Sequence, residues 1–305
     1  MRAEIRLSAA FFCAVLASAQ PRVDNVLERM VPPGATSLVG AHMDQIKQTE
    51  IYRKMVAAQS MSEVDQFAQD TGFDPRRDVR ELLFVTTANG SVLLARGTFH
   101  LRAVTLKGVN KIRHGEYEIV GQRGGGFCVL DATLAVAGEI PAVEAALDEW
   151  KTGSHSAAQP LLAKLAGLSP QTQIWGVSTG KGNFLAEHPP GASSGLDFSK
   201  IYRSLRETWF EADFSAGLRA ELHGMTFTEK DAVNLRDAVR GIVGLGRLNV
   251  PENQPELLKV WDGFTVDQQG RAVTIHAEIP QDLIDKMVQM LTMKPNVPRR
   301  ASGDQ

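Results

Sequence analysis

The chain has 305 residues, 43% of them hydrophobic and 22% charged, with 33 Lys and Arg against 35 Asp and Glu, which is ordinary globular usage. No basic stripe interleaved with aromatics stands out, so nucleic acid is excluded as the predicted partner. The length admits one large domain or two of about 130 residues each, either of which can bury a core without disulfides or a structural metal.

Met1 to Arg6 carries two arginines, and Leu7 to Leu16 is an apolar run too short to span a bilayer. Ala17-Ser18-Ala19 then places small residues at a cleavage site. Residues 1–19 therefore read as a signal peptide cleaved after Ala19, which predicts a periplasmic or secreted protein. Removing them leaves 31 Lys and Arg against 34 Asp and Glu, a net charge of −3. Cys13 follows Phe11-Phe12 rather than a lipobox, so no lipid anchor is predicted. The mature chain keeps Cys128, which cannot pair internally and reads as a buried thiol. No later run of 18 apolar residues occurs, so no membrane span is expected after cleavage.

Along the mature chain, Val23–Met30 starts as a short helix stopped by Pro32-Pro33-Gly34. Thr36–Met43 reads as a strand, Gln45–Ala58 as a helix, and Glu63–Gln69 as a helix closed by Gly72. Leu82–Thr87 and Val92–Ala95 flank Asn89-Gly90, a strong hairpin signal. A helix over Leu101–Lys107 precedes strands at Tyr117–Val120, Phe127–Leu130 and Thr133–Ala137, and Pro141 opens a helix over Ala142–Trp150. Thr152–Gln159 is small and polar, the composition of a linker. Beyond it come a strand at Gln173–Val177, a helix at Lys200–Arg206, and a hairpin of Thr208–Asp213 with Leu218–His223. The longest helix, Glu229–Leu245, aligns Ala232, Leu235, Val239, Ile242 and Val243 on one face. Phe264–Val266 and Ala272–Ile279 pair around Gln269-Gly270, and Pro280 opens a last helix to Leu291, with a disordered tail from Lys294.

Two short matches accompany this recurring order. Thr36-x-Leu38-Val39-Gly40 aligns with Thr172-x-Ile174-Trp175-Gly176, and Glu139-Ile140-Pro141 with Glu278-Ile279-Pro280. They predict an internal duplication: an α+β protein of two related modules (20–151 and 160–292, linker 152–159, tail 293–305). Each module is a mainly antiparallel sheet with helices packed on one face.

Three constellations bear on chemistry. Gly176-Val177-Ser178-Thr179-Gly180 fits the nucleophile-elbow pattern, with Asp213 or Asp231 and then His276 in the order a triad needs. The helix that should follow Ser178 has almost no room before Pro189-Pro190, and parallel βα units are missing. Asp70-Thr71-Gly72 looks like an aspartic-protease tripeptide, but the facing second copy is absent and a helix end on glycine accounts for it. On the strands over 218–223 and 273–279, Leu218, Ala220, Leu222, Val273, Ile275, Ala277 and Ile279 point one way. Arg219, Glu221, His223, Thr274, His276 and Glu278 point the other, as an outer polar stripe. If the strands neighbour, this stripe is a contact surface, or a metal site through His223, His276, Glu221 and Glu278, although no zinc-type ligand spacing supports metal. Gly241-x-x-Gly244-x-Gly246 near the end of the longest helix marks close packing or fraying rather than a phosphate site.

The leader, the proline-rich entry to the first strand, the F-A-x-x-T-G-F-D-P segment at Phe67–Pro75 and the Gly138–Pro141 helix start together resemble a loose group of exported bacterial proteins known only as domains of unknown function. That resemblance implies a duplicated α+β fold and an extracytoplasmic location, and it carries no catalytic residue across. The sequence thus predicts a non-enzymatic binding or scaffold protein that uses no cofactor and meets a protein or envelope polymer. A serine hydrolase using Ser178 and a metal-binding protein are the alternatives.

Overall fold

The computed structural model describes residues 23–58, 62–99, 110–122, 124–153, 159–164, 172–179 and 203–292. The leader, the helix expected at Leu101–Lys107, most of the linker and the tail lie outside these residues. Twelve strands are described: β1 (Ser37–His42), β2 (Val79–Thr87), β3 (Gly90–Gly97), β4 (Asn110–His114), β5 (Tyr117–Gln122), β6 (Gly125–Asp131), β7 (Leu134–Glu139), β8 (Ile174–Thr179), β9 (Leu205–Asp213), β10 (Gly217–Thr226), β11 (Phe264–Gln269) and β12 (Ala272–Pro280). The helices are α1 (Asn25–Glu28), α2 (Met43–Ile46), α3 (Glu50–Ala58), α4 (Ser62–Thr71), α5 (Pro75–Asp78), α6 (Ile140–Thr152), α7 (Gln159–Leu162), α8 (Glu229–Leu248), α9 (Leu258–Asp262) and α10 (Gln281–Thr292).

All twelve strands belong to one antiparallel sheet, in the order β11-β12-β10-β9-β8-β1-β2-β3-β7-β6-β5-β4. The α+β class follows directly. The expectation of two sheets does not: β1 pairs with β8, Ser37 opposite Ser178 and Ala41 opposite Ile174, so the halves share a continuous ladder. The strand order still recurs outward from that pair, as β1-β2-β3-β7-β6 on one side and β8-β9-β10-β12-β11 on the other.

Register assigns the faces, since side chains alternate along every strand. Leu38, Leu83, Leu94, Val136, Trp175 and Val177 share one face, here the brace face, and pack with Val143, Ala146 and Leu147 of α6 and Leu27 of α1 in the largest core. Ala41, Leu82, Ala95, Ile174, Ala212, Ala220 and Ala277 share the other, here the helix face. There α8 buries Ala232 and Leu235 against Val266 and Val273, while α9 and α10 bury Val260, Leu283, Ile284 and Val288 with Ile279. Helices therefore cover both faces, not one. α6 follows β7 onto the brace face, whereas α10 follows β12 onto the helix face.

The recurring Leu/Ile-x-Gly segments acquire a physical meaning. A Cβ on Gly40 would lie 2.2 Å from the Trp175 ring, and one on Gly176 would lie 2.2 Å from the Phe210 ring. Each glycine makes room for an aromatic from the neighbouring strand, but Gly40 does so on the brace face and Gly176 on the helix face. Trp175 is 2% exposed and ties β8 into the core of the first half.

Local differences have local causes. Of the helix expected at Lys200–Arg206, residues 200–202 lie outside the described residues, and the chain is strand from Leu205, whose side chain is buried with Leu235 and Val273. β4 has a single apolar residue, Ile112, in Asn-Lys-Ile-Arg-His, so alternation could not reveal it; it is an edge strand, where charge is favoured. The β2–β3 turn is Ala88-Asn89, with Gly90 already paired to Thr87. Pro280 ends β12, and α10 starts one residue later. Gly72, at φ 79, closes α4 by donating its N–H to the Ala68 carbonyl, as expected of Asp70-Thr71-Gly72.

Candidate functional site

The polar stripe is assembled as its alternation predicts. β10 and β12 are neighbours, with Arg219 opposite Glu278, Glu221 opposite His276 and His223 opposite Thr274. The Glu221 carboxylate lies between two imidazoles, 3.1 Å from His223 Nε2 and 3.2 Å from His276 Nδ1. The second His223 nitrogen, Nδ1, faces the Thr274 hydroxyl at 3.2 Å. The His223 ring stacks on Trp209, with centroids 4.7 Å apart and planes within 5°. Arg219 and Glu278 form a loose cross-strand pair at 3.8 Å, both mostly exposed.

These groups satisfy one another. The carboxylate of Glu221 is shared between two rings, and Glu278 is turned to Arg219. Among the described residues no group of three or more His, Cys, Asp or Glu is arranged to hold a metal ion. The stripe is thus an open sheet face laced by cross-strand pairs, each of the modest strength such pairs have.

Ser178 sits within β8 rather than on a strand-to-helix turn. It is 3% exposed and lies 2.8 Å from the Thr208 hydroxyl. Register puts Ser178 on the helix face and both Asp213 and His276 on the brace face, so the sheet itself separates the proposed nucleophile from them. A nucleophile needs its base within hydrogen-bond reach; these three residues are not brought together. Cys128 is buried, and burial pushes its thiol above the ordinary value, the mark of an unreactive cysteine.

The site that sequence reading missed lies on the other side of the same strands. Between α8 and the helix face of β9, β10, β12 and β11 is a cavity of about 510 Å³. Its floor is a row of three paired alanines, Ala212, Ala220 and Ala277. Phe210, Leu222 and Ile275 form the next row, Val239, Ile242 and Val243 of α8 the roof, and Trp261 of α9 one wall. The cause is volume: methyl groups stand where a roof one helix thick needs large side chains, and interiors otherwise pack without such voids. Among the described residues no lysine or arginine lines it. Sequence alternation did place Ala220 and Ala277 on the inward face, and helical spacing found the roof residues. That three alanines fall in one cross-strand row depends on register, which the sequence alone did not fix.

A second apolar cavity, about 530 Å³, lies on the helix face of the first half between β2, β3, β6 and β7 and the segment carrying Tyr52, Phe73 and Pro75. Both hollows therefore open on the same side of the sheet.

The class so defined is an α+β protein built on one large antiparallel sheet with an apolar hollow beneath a helix. No family model matches the chain, and no curated protein matches it. Among solved structures it is similar to crystal form III of TP0453, with a TM-score of 0.54 and 9% identity over 88% of this chain and 98% of that one. Crystal form I of TP0453 gives a TM-score of 0.49 and 10% identity over 88% of this chain and 97% of that one, and form IV gives 0.47 and 9% over 90% and 99%. At such identity the likeness concerns the fold. No described helix is long and apolar enough to cross a membrane.

Proposed function

We propose that this is a non-enzymatic extracytoplasmic binding protein whose ligand is a small apolar molecule held under α8. The observation that carries the reading is the cavity of about 510 Å³ floored by the Ala212–Ala220–Ala277 row. Its size falls within the range of about 300–1,000 Å³ typical of ligand sites, and its apolar lining suits a hydrocarbon group. Glu211 and Glu221 border it, but register turns both side chains to the brace face, so among the described residues no charged side chain is directed into it. The buried part of the ligand is hydrocarbon and any polar end stays at the mouth, because an unpaired buried polar group is costly. The leader-like N-terminus supports an extracytoplasmic location. The recurring strand order supports descent of both halves from one duplicated module.

Titration with N-phenyl-1-naphthylamine, an uncharged apolar fluorophore, tests the reading. Saturable one-to-one binding by the wild type, lost in Ala220→Phe with the fold intact, is the expected result. Absence of saturable binding, or equal binding by Ala220→Phe, overturns it.

A further inference from the structure

The roof helix is built of two unlike halves. Its N-terminal half is fixed. The Thr228 hydroxyl accepts from Asp231 N–H at 3.1 Å as N-cap, and the neighbouring Thr226, wholly buried, donates to the carbonyls of Thr228 and Arg271. Ala232 and Leu235 are buried against the strands, and Arg236 and Arg240 reach over the β11 edge to Gln268 and the Val266 carbonyl.

The C-terminal half is held mainly at its tip, where Asn249 donates its N–H to the Leu245 and Gly246 carbonyls and its Nδ2 to the Leu245 carbonyl. Gly241, Gly244 and Gly246 lie within six consecutive positions, and glycine is the poorest helix former after proline. A Cβ added at Gly241 or Gly244 would meet nothing within 4 Å, so packing does not require glycine there. Ile242 is 36%, Leu245 51% and Leu248 83% exposed. Two contacts to α9 secure this end: the Trp261 ring fills the notch at Gly246, where a Cβ would come within 2.3 Å, and Arg247 pairs with Asp262 at 2.8 Å with both side chains half exposed. Trp261 is also a cavity wall. The residue that holds the helix end is therefore one that a ligand would touch.

We infer that Gly241–Leu248 is the gate of this partly open cavity: the segment unwinds from Gly241 onward, releasing Trp261 from Gly246, and so widens the way by which the ligand enters beneath it. The inference rests on the binding reading above and adds the entry route. Gly241 and Gly244 set how often the gate opens, and Trp261 couples opening to occupancy. Local opening of this kind is drawn from the least-packed part of a fold, and a gate governs rates rather than final affinity.

Amide hydrogen exchange on the full mature chain tests the gate without any ligand. Amides of the last two turns of α8 are expected to exchange through local opening, faster than those near Leu235, and the double variant Gly241→Ala/Gly244→Ala to slow them on the order of tenfold, since two glycines are replaced by the best helix former. Stopped-flow mixing with N-phenyl-1-naphthylamine should show association and dissociation slowed by a similar factor with the dissociation constant unchanged. Uniform protection along α8, or exchange that the double variant leaves unmoved, overturns the gate. So do probe rates indifferent to the two alanines. Local opening without saturable probe binding instead overturns the binding reading, and the gate's role falls with it.

Discussion

The two halves of the sheet repeat one strand order but finish its brace face differently. In the first half, the brace face is filled: Leu83, Leu94, Val136 and Ile119 meet α6 at full burial, and Trp175 from β8 completes the layer. In the second half the same face is left open, polar and self-paired, and the helix face is roofed by α8 but floored with alanine. Each half keeps an apolar hollow on its helix face, so the halves differ on the brace face: large apolar side chains under α6 in the first, a self-paired polar stripe in the second.

The comparison breaks most sharply at the join. Trp175→Ala removes the largest fully buried side chain from the layer that unites β8 with the first half. A loss of about 3–5 kcal/mol is expected for an aromatic truncated in a tight core, measured by urea denaturation. A loss below 1 kcal/mol would mean that the two halves do not share a core.

Ala220→Phe sharpens the contrast from the other half. Enlarging a residue in a filled core costs about 1–3 kcal/mol, yet at Ala220 the new ring enters existing space, so thermal stability should be unchanged or raised. The matching change Leu94→Phe, in the filled layer, should lower it. Equal destabilisation by both would show that the second half is as full as the first.

The smallest effect concerns the clip between the halves. Asp285 of α10 binds Lys54 of α3 at 2.6 Å and accepts from Gln281, and the Lys54 ammonium holds its carboxyl below the ordinary value of 3.8. A carboxyl with a lowered folded-state value stabilises above its unfolded value and loses that contribution as pH falls through the folded one. Wild type and Asp285→Asn should therefore differ slightly in melting temperature at pH 7 and converge below about pH 4. The pair is partly exposed, so the difference should be small and shrink in salt. A difference that persists once the pH is below the folded value, with the carboxyl protonated in both states, would assign it to packing.

Much of this was legible in the chain. The hairpins, the long helix with its inward Ala232, Leu235 and Val239, and the two-sided strands at 218–223 and 273–279 all follow from alternation and helical spacing, which are properties of a few consecutive residues. The stripe of Arg219, Glu221, His223, Thr274, His276 and Glu278 was found the same way, and β10 and β12 do adjoin. β4 was not legible, because its only apolar residue, Ile112, is too little to show alternation. Nor was the strand at Leu205, where burial with Leu235 outweighs local preference.

The sequence by itself determined which residues turn inward on each element, because a period of two or 3.6 is written in neighbours. Only the tertiary structure decided that β1 meets β8 to make one sheet, that Ser178 and His276 lie on opposite faces, and that Ala212, Ala220 and Ala277 form a single row beneath α8. The reason is physical: register and the volume between layers are set jointly by residues far apart in the chain, and a cavity is a shortfall in that joint volume that no one segment records.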